Sequence, residues 1–112
     1  GGDLHQNYVC AVHADPEAAP ERRNPVVASE FCSTSITSRS GTTQAKVDAI
    51  VDHNPQVLYA RCEERGYGLA DITPERWTSE LRAVANPMRA DSRIYTLARF
   101  TVEDRRPGPV AS

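Results

Sequence analysis

The chain has 112 residues, of which 39% are hydrophobic and 25% charged, with a formal net charge of −2 at pH 7. That length holds one domain or part of one, and a core only just large enough to sustain a fold. No basic stripe is present, so nucleic-acid binding has no electrostatic footprint, and no run approaches the roughly 18 apolar residues of a membrane span.

The first stretch is G-G-D-L-H-Q-N-Y, Gly1 to Tyr8. A glycine pair before an acid suggests a tight bend where backbone can approach a ligand without a Cβ in the way. An extended chain places Asp3 and His5 on one side and Leu4 on the other, with Asn7 continuing the row. A carboxylate and an imidazole facing one point suit a pair of metal ligands, or a ligand plus a proton-handling group. By spacing alone such a pair more often sits on a solvated surface. A catalytic metal wants roughly three protein ligands, and His13 and His53 read as surface histidines. Either the motif is incidental, or further ligands belong to sequence outside this chain.

Asn7–Val12 reads as a strand with Tyr8, Cys10 and Val12 on one face. Residues 15–25, rich in proline and charge, read as a surface loop. Pro25–Cys32 is a second strand, and the carboxylate of Glu30 within it would be costly to bury alone. Glu30 is either outward-facing or Arg-paired, or a support for a metal site. Ser33–Thr43 is rich in hydroxyls that compete for local backbone groups, so turns are expected. It is an ordered connector or a surface that presents hydroxyls and amides to phosphate. Gln44–Asp52 is the best helix, with Val47, Ile50 and Val51 on one face and Thr43 or Thr42 as cap. His53-Asn54-Pro55 ends it.

The second half reads as a β-meander. Gln56–Arg61 is a strand, and Arg65–Ile72 another. Thr73-Pro74-Glu75-Arg76-Trp77 has a cap residue followed by proline and reads as a single helical turn. Ser79–Ala85 favours strand, residues 86–92 a loop, and Tyr95–Glu103 an imperfectly alternating strand. Residues 105–112 read as a flexible tail. Arg65 could pair a phosphate or join Glu63 and Glu64 in a local ion pair. Tyr67, Trp77 and Phe100 read as core. Cys10, Cys32 and Cys62 lack metal-binding spacing. They read as buried or half-buried thiols, or as one disulfide plus a free thiol.

Several segments, taken in order, carry a resemblance. They are G-G-D-L-H (1–5), V-V-A-S-E-F (26–31), S-I-T-S (35–38), N-P (54–55), R-G-Y (65–67), T-P-E-R-W (73–77) and F-T-V-E-D-R-R-P-G (100–108). Each is weak alone; together they resemble the C-terminal part of the alkaline phosphatase D family, the PhoD-like metallophosphoesterases. Residues 41–53 have no close counterpart. The resemblance implies an α/β fold, with residues 1–112 forming the β-rich C-terminal part of a four-layer α/β/β/α metallophosphoesterase sandwich. It implies hydrolysis of phosphate monoesters and diesters, iron and calcium as metals, and export to the periplasm or beyond, often by a twin-arginine signal. Any targeting segment would then lie upstream of Gly1.

The family's motif implies Asp3 as a metal ligand, and His5 as a metal ligand or a phosphate-contacting, proton-donating catalytic group. Its upstream Asp, Asn, Tyr and Cys ligand positions have no counterpart here, and none of the three cysteines stands in for that upstream cysteine. The partners implied are a phosphate-ester substrate and a missing N-terminal part of the same protein, without which the chain is expected to be inactive and to expose an apolar patch. The alternative is a non-catalytic β-rich binding or interaction module.

Overall fold

The computed structural model describes residues 3–19 and 22–112. Seven strands and one helix follow in the order β1 (Asn7–His13), β2 (Val26–Cys32), α1 (Gln44–His53), β3 (Val57–Arg61), β4 (Arg65–Ile72), β5 (Arg76–Val84), β6 (Ile94–Glu103) and β7 (Arg106–Ala111). They form two antiparallel sheets, of order β2-β1-β3 and β4-β5-β6-β7. Among the described residues no helix is long and apolar enough to cross a membrane.

Three layers result. Period-two alternation sends successive side chains of β1 to opposite faces. Val9, fully buried, packs with Leu81 and Phe100 of the four-stranded sheet, and Phe31, Tyr59 and Ala98 close around them. Phe31 lies 4.9 Å from Trp77 and Tyr59 lies 5.9 Å from Phe100, centroid to centroid. Such pairs add about 0.5–1.5 kcal/mol each beyond burial. On the other face, Tyr8 joins Val57, Ala60 and Cys62 under the Val47 and Val51 of α1. The more buried row of β1 is therefore Asn7, Val9 and Ala11, while the row of Tyr8, Cys10 and Val12 is only partly covered. On α1, Val47 is buried and Val51 half-buried, but Ile50 remains 47% exposed. Thr43 caps the helix by accepting from the Lys46 amide.

Four expectations are corrected. β3 does not belong to the meander; it pairs with β1 across the intervening β2 and helix, because Ala60 and Cys62 supply the apolar surface on which α1 rests. Thr73–Trp77 forms no helical turn. Thr73 donates its amide to the Arg76 carbonyl and accepts from the Glu75 and Arg76 amides through Oγ1. A hairpin turn satisfies those groups as a cap would, and Trp77 is drawn into β5 beside Phe31.

Residues 105–112 are not a loose tail, for Arg106–Ala111 is an edge strand paired with β6. Proline lacks an N–H and is tolerated at a sheet edge, and Pro109 is buried. Finally, Asp3 (φ 69°) and His5 (φ 55°) are left-handed, so the front segment bends and is not extended.

The imperfect alternation of β6 has a local cause. Leu81 pairs with Ala98 but Arg82 pairs with Thr96. Leu97 is the extra residue of a β-bulge, which shifts the phase of everything before it.

Candidate metal-site loop

Gly1 and Gly2 of the opening motif lie outside the described residues, so the expected glycine bend is not described there. Asp3 is exposed and His5 half-buried. Both adopt backbone conformations that residues with a Cβ disfavour, and such conformations cluster at ligand-binding sites. The left-handed turns replace the one-sided row expected of an extended chain. Asn7, expected to continue that row, turns inward instead. It is 1% exposed, and its Oδ1 accepts from the Thr34 amide at 3.1 Å.

The His5 ring is oriented through Nδ1, which lies 3.0 Å from the Arg39 carbonyl oxygen. A carbonyl only accepts, so Nδ1 carries a proton, and in the neutral ring Nε2 keeps its lone pair. Histidines that bind metal usually have their other ring nitrogen tied to a carbonyl or carboxylate in this way. His5 Nε2 and the Asp3 carboxylate are thus each of a donor type that metal ions take. The remaining histidines do not complete a site. His13 ends β1, and His53 sits exposed at the end of α1 with Nδ1 on the Ala49 carbonyl. Among the described residues no group of three or more His, Cys, Asp or Glu side chains converges to hold a metal.

The hydroxyl-rich loop between β2 and α1 lies against this front segment. Gln6 Nε2 donates to Ser40 Oγ at 3.0 Å, and Tyr8 donates its hydroxyl to Gln6 Oε1 at 2.7 Å. Ser35 donates its hydroxyl to the Ser38 carbonyl. These bonds order the loop. Its outer side, with Arg39, Thr42 and Thr43, borders an open cleft of about 690 Å³ that Cys62 and Arg65 also line. Asp3 and His5 do not line that cleft.

Arg65 is not the ion-pair partner of the acids beside it. Arg61 takes both acids, with Nε 3.1 Å from each Glu64 oxygen and Nη2 3.2 Å from Glu63. Arg65 is 4% exposed. Nη1 donates to Ser35 Oγ at 3.0 Å and to the Ser38 carbonyl, and Nη2 donates to the carbonyls of His5 at 3.1 Å and Cys62 at 2.5 Å. Sequence reading missed this role, since an arginine beside two glutamates gives no local sign that it will be buried.

Glu30 is exposed on an outer face of β2, opposite Cys10, which supports the outward-facing reading. Cys10 and Cys62 are free thiols, half-buried and buried, and Cys32 is buried with Sγ 3.9 Å from the Gln6 carbonyl. Burial pushes the Cys10 and Cys62 thiols up, helped at Cys10 by Glu30 and at Cys62 by Glu63. Raised thiols are poor nucleophiles and poor metal ligands.

A family model described as PhoD-like phosphatase matches residues 1–81 of the chain. A solved structure titled "Structure of PhoD" superposes with a TM-score of 0.82 at 26% sequence identity, over 97% of this chain. This chain spans 20% of the length of that one. No curated protein matches the chain.

Proposed function

The chain belongs to the PhoD-like phosphatase family, and from that premise we propose that it is the β-rich C-terminal part of a metal-dependent enzyme hydrolysing phosphate monoesters and diesters. Asp3 and His5 are its contribution to the metal centre. The observation that carries this reading is the His5 ring, held through Nδ1 on the Arg39 carbonyl with the Nε2 lone pair left to bind. Iron and calcium are the metals proposed, with the other ligands supplied by the rest of the same protein. Bound there, such a centre supplies an activated water and neutralises charge on the phosphoryl oxygens.

The chain's own residues have simpler tasks. Asp3 brings a carboxylate suited to a hard cation. His5 brings an oriented nitrogen to metal or phosphate; protonated at Nε2, the same ring would donate to a leaving alkoxide. Under this reading the three layers seen here are part of a four-layer sandwich, and the whole protein is exported to the periplasm or the medium. The dimensions support a piece that packs against more protein. A compact domain of this length has a radius of gyration of about 13 Å, whereas the chain's is 15.0 Å. Large apolar side chains such as Ile72, Met88 and Val110 are 66%, 86% and 68% exposed. A self-contained binding module would be more compact.

The test uses the whole enzyme. Asp3→Asn and His5→Ala should each lower turnover of p-nitrophenyl phosphate by about 100-fold or more, and Asp3→Asn should also lose bound metal. Wild-type turnover and metal content in both variants would sink the assignment. The isolated chain should show no turnover with iron and calcium added.

A further inference from the structure

Arg65 is the one buried charged side chain among the described residues. A buried cation is expensive without a carboxylate, yet all four of its acceptors are neutral oxygens: three backbone carbonyls and the Ser35 hydroxyl. The two carboxylates beside it in sequence are held by Arg61 instead. Burial accordingly pulls the Arg65 guanidinium below its ordinary range.

Those four acceptors lie on three segments, and two of the segments determine His5. One is the His5 backbone itself, gripped at its carbonyl while its φ is left-handed. The other is the loop from Ser35 to Ser38, gripped one residue before Arg39, whose carbonyl orients the His5 ring. One planar fork therefore holds both the main chain of His5 and the support of its imidazole. Lysine, with a single nitrogen, cannot span acceptors so placed.

We propose that Arg65 is the positioning residue for His5: its guanidinium ties the His5 backbone to the loop that carries the Arg39 carbonyl, and so keeps the proton on Nδ1 and Nε2 open toward metal or phosphate. This rests on the reading of His5 as a metal-site residue. A purely structural role, joining the loop to β4, would leave the ring's proton where it is.

The whole protein, 15N-labelled at histidine, separates the two at about pH 8.5, where an ordinary imidazole is neutral. The wild type should show His5 protonated at Nδ1. Arg65→Lys should convert it to a mixture with Nε2 protonated, with cooperative unfolding retained. Affinity for cobalt(II) alone, as a probe of imidazole ligation, should fall by roughly 10–100-fold. Ser35→Ala removes one Arg65 acceptor, together with the hydroxyl's own bond to the Ser38 carbonyl, and should move both readouts the same way by less; it decides the matter if Arg65→Lys fails to fold. An Nδ1-protonated ring in both variants, or in Ser35→Ala alone where Arg65→Lys is unfolded, would overturn the proposal. A tautomer that shifts in the variants while the wild type binds no cobalt(II) would uphold the positioning role and refute the metal-site reading instead.

Discussion

Gly66 and Arg82 approach so closely that a Cβ on Gly66 would lie 1.8 Å from the Arg82 carbonyl oxygen. The obstacle is backbone, which cannot rotate away. Gly66 also donates its amide to the Ser35 carbonyl at 3.0 Å, so β4 is locked against both β5 and the loop beside His5.

Gly66→Ala should consequently cost about 3 kcal/mol, the upper end of overpacking effects. Urea denaturation measures it. A wild-type midpoint would mean that β4 can shift without loss, contrary to the tight packing described.

Leu81 is 1% exposed and packs with Val9 and Phe100 between the sheets. Leu81→Ala should cost about 2–5 kcal/mol through lost burial and a residual cavity. Val110→Ala, at a side chain 68% exposed, should stay within about 0.5 kcal/mol of wild type in the isolated chain. Equal effects in the two variants would show that the inter-sheet cluster is not the core.

Glu80 sits between two arginines, accepting from Arg82 Nη1 at 3.0 Å, from Arg99 Nε at 3.1 Å and from Thr96 Oγ1 at 2.9 Å. The arginines and the threonine hold its carboxyl at about 2, below the ordinary 4.5. A carboxyl lowered by folding stabilises the folded state above its unfolded value and loses that contribution as pH falls through the folded one. Wild type should thus lose thermal stability more steeply than Glu80→Gln between about 4.5 and about 2. Parallel pH profiles would show that the cluster is not formed in solution.

Cys62 is 4% exposed, and its thiol is pushed up by burial and by Glu63. Iodoacetamide at neutral pH should label it far more slowly in the folded chain than in urea. Cys10, facing Glu30 across the strand pair, should label faster in Glu30→Gln, because removing the carboxylate favours the thiolate. An unchanged rate would place Glu30 too far away to act.

The order of elements was legible because it depends on local pattern. Alternation marked β1 and β6, an apolar run marked β2, the i, i+3, i+4 row and Thr43 marked α1, and the ordered motifs marked the family. Local pattern also misled where one chemistry serves two structures. Thr73-Pro74 caps a hairpin as readily as a helix, and the segment read as a loose end carries prolines at 107 and 109 that suit an edge strand. In the site, Asp3 and His5 could be picked out as residue types, but not their left-handed bend.

What the sequence determined alone was therefore periodicity, residue chemistry and family. Tertiary structure decided which edges meet: β3 beside β1, β7 beside β6, and the loop of Ser35–Arg39 against His5. Those choices depend on burial shared between residues far apart in the chain, such as Arg65 and His5, 60 positions from each other. No local pattern distinguishes an arginine that will remain solvated from one that will be buried to hold a histidine in place.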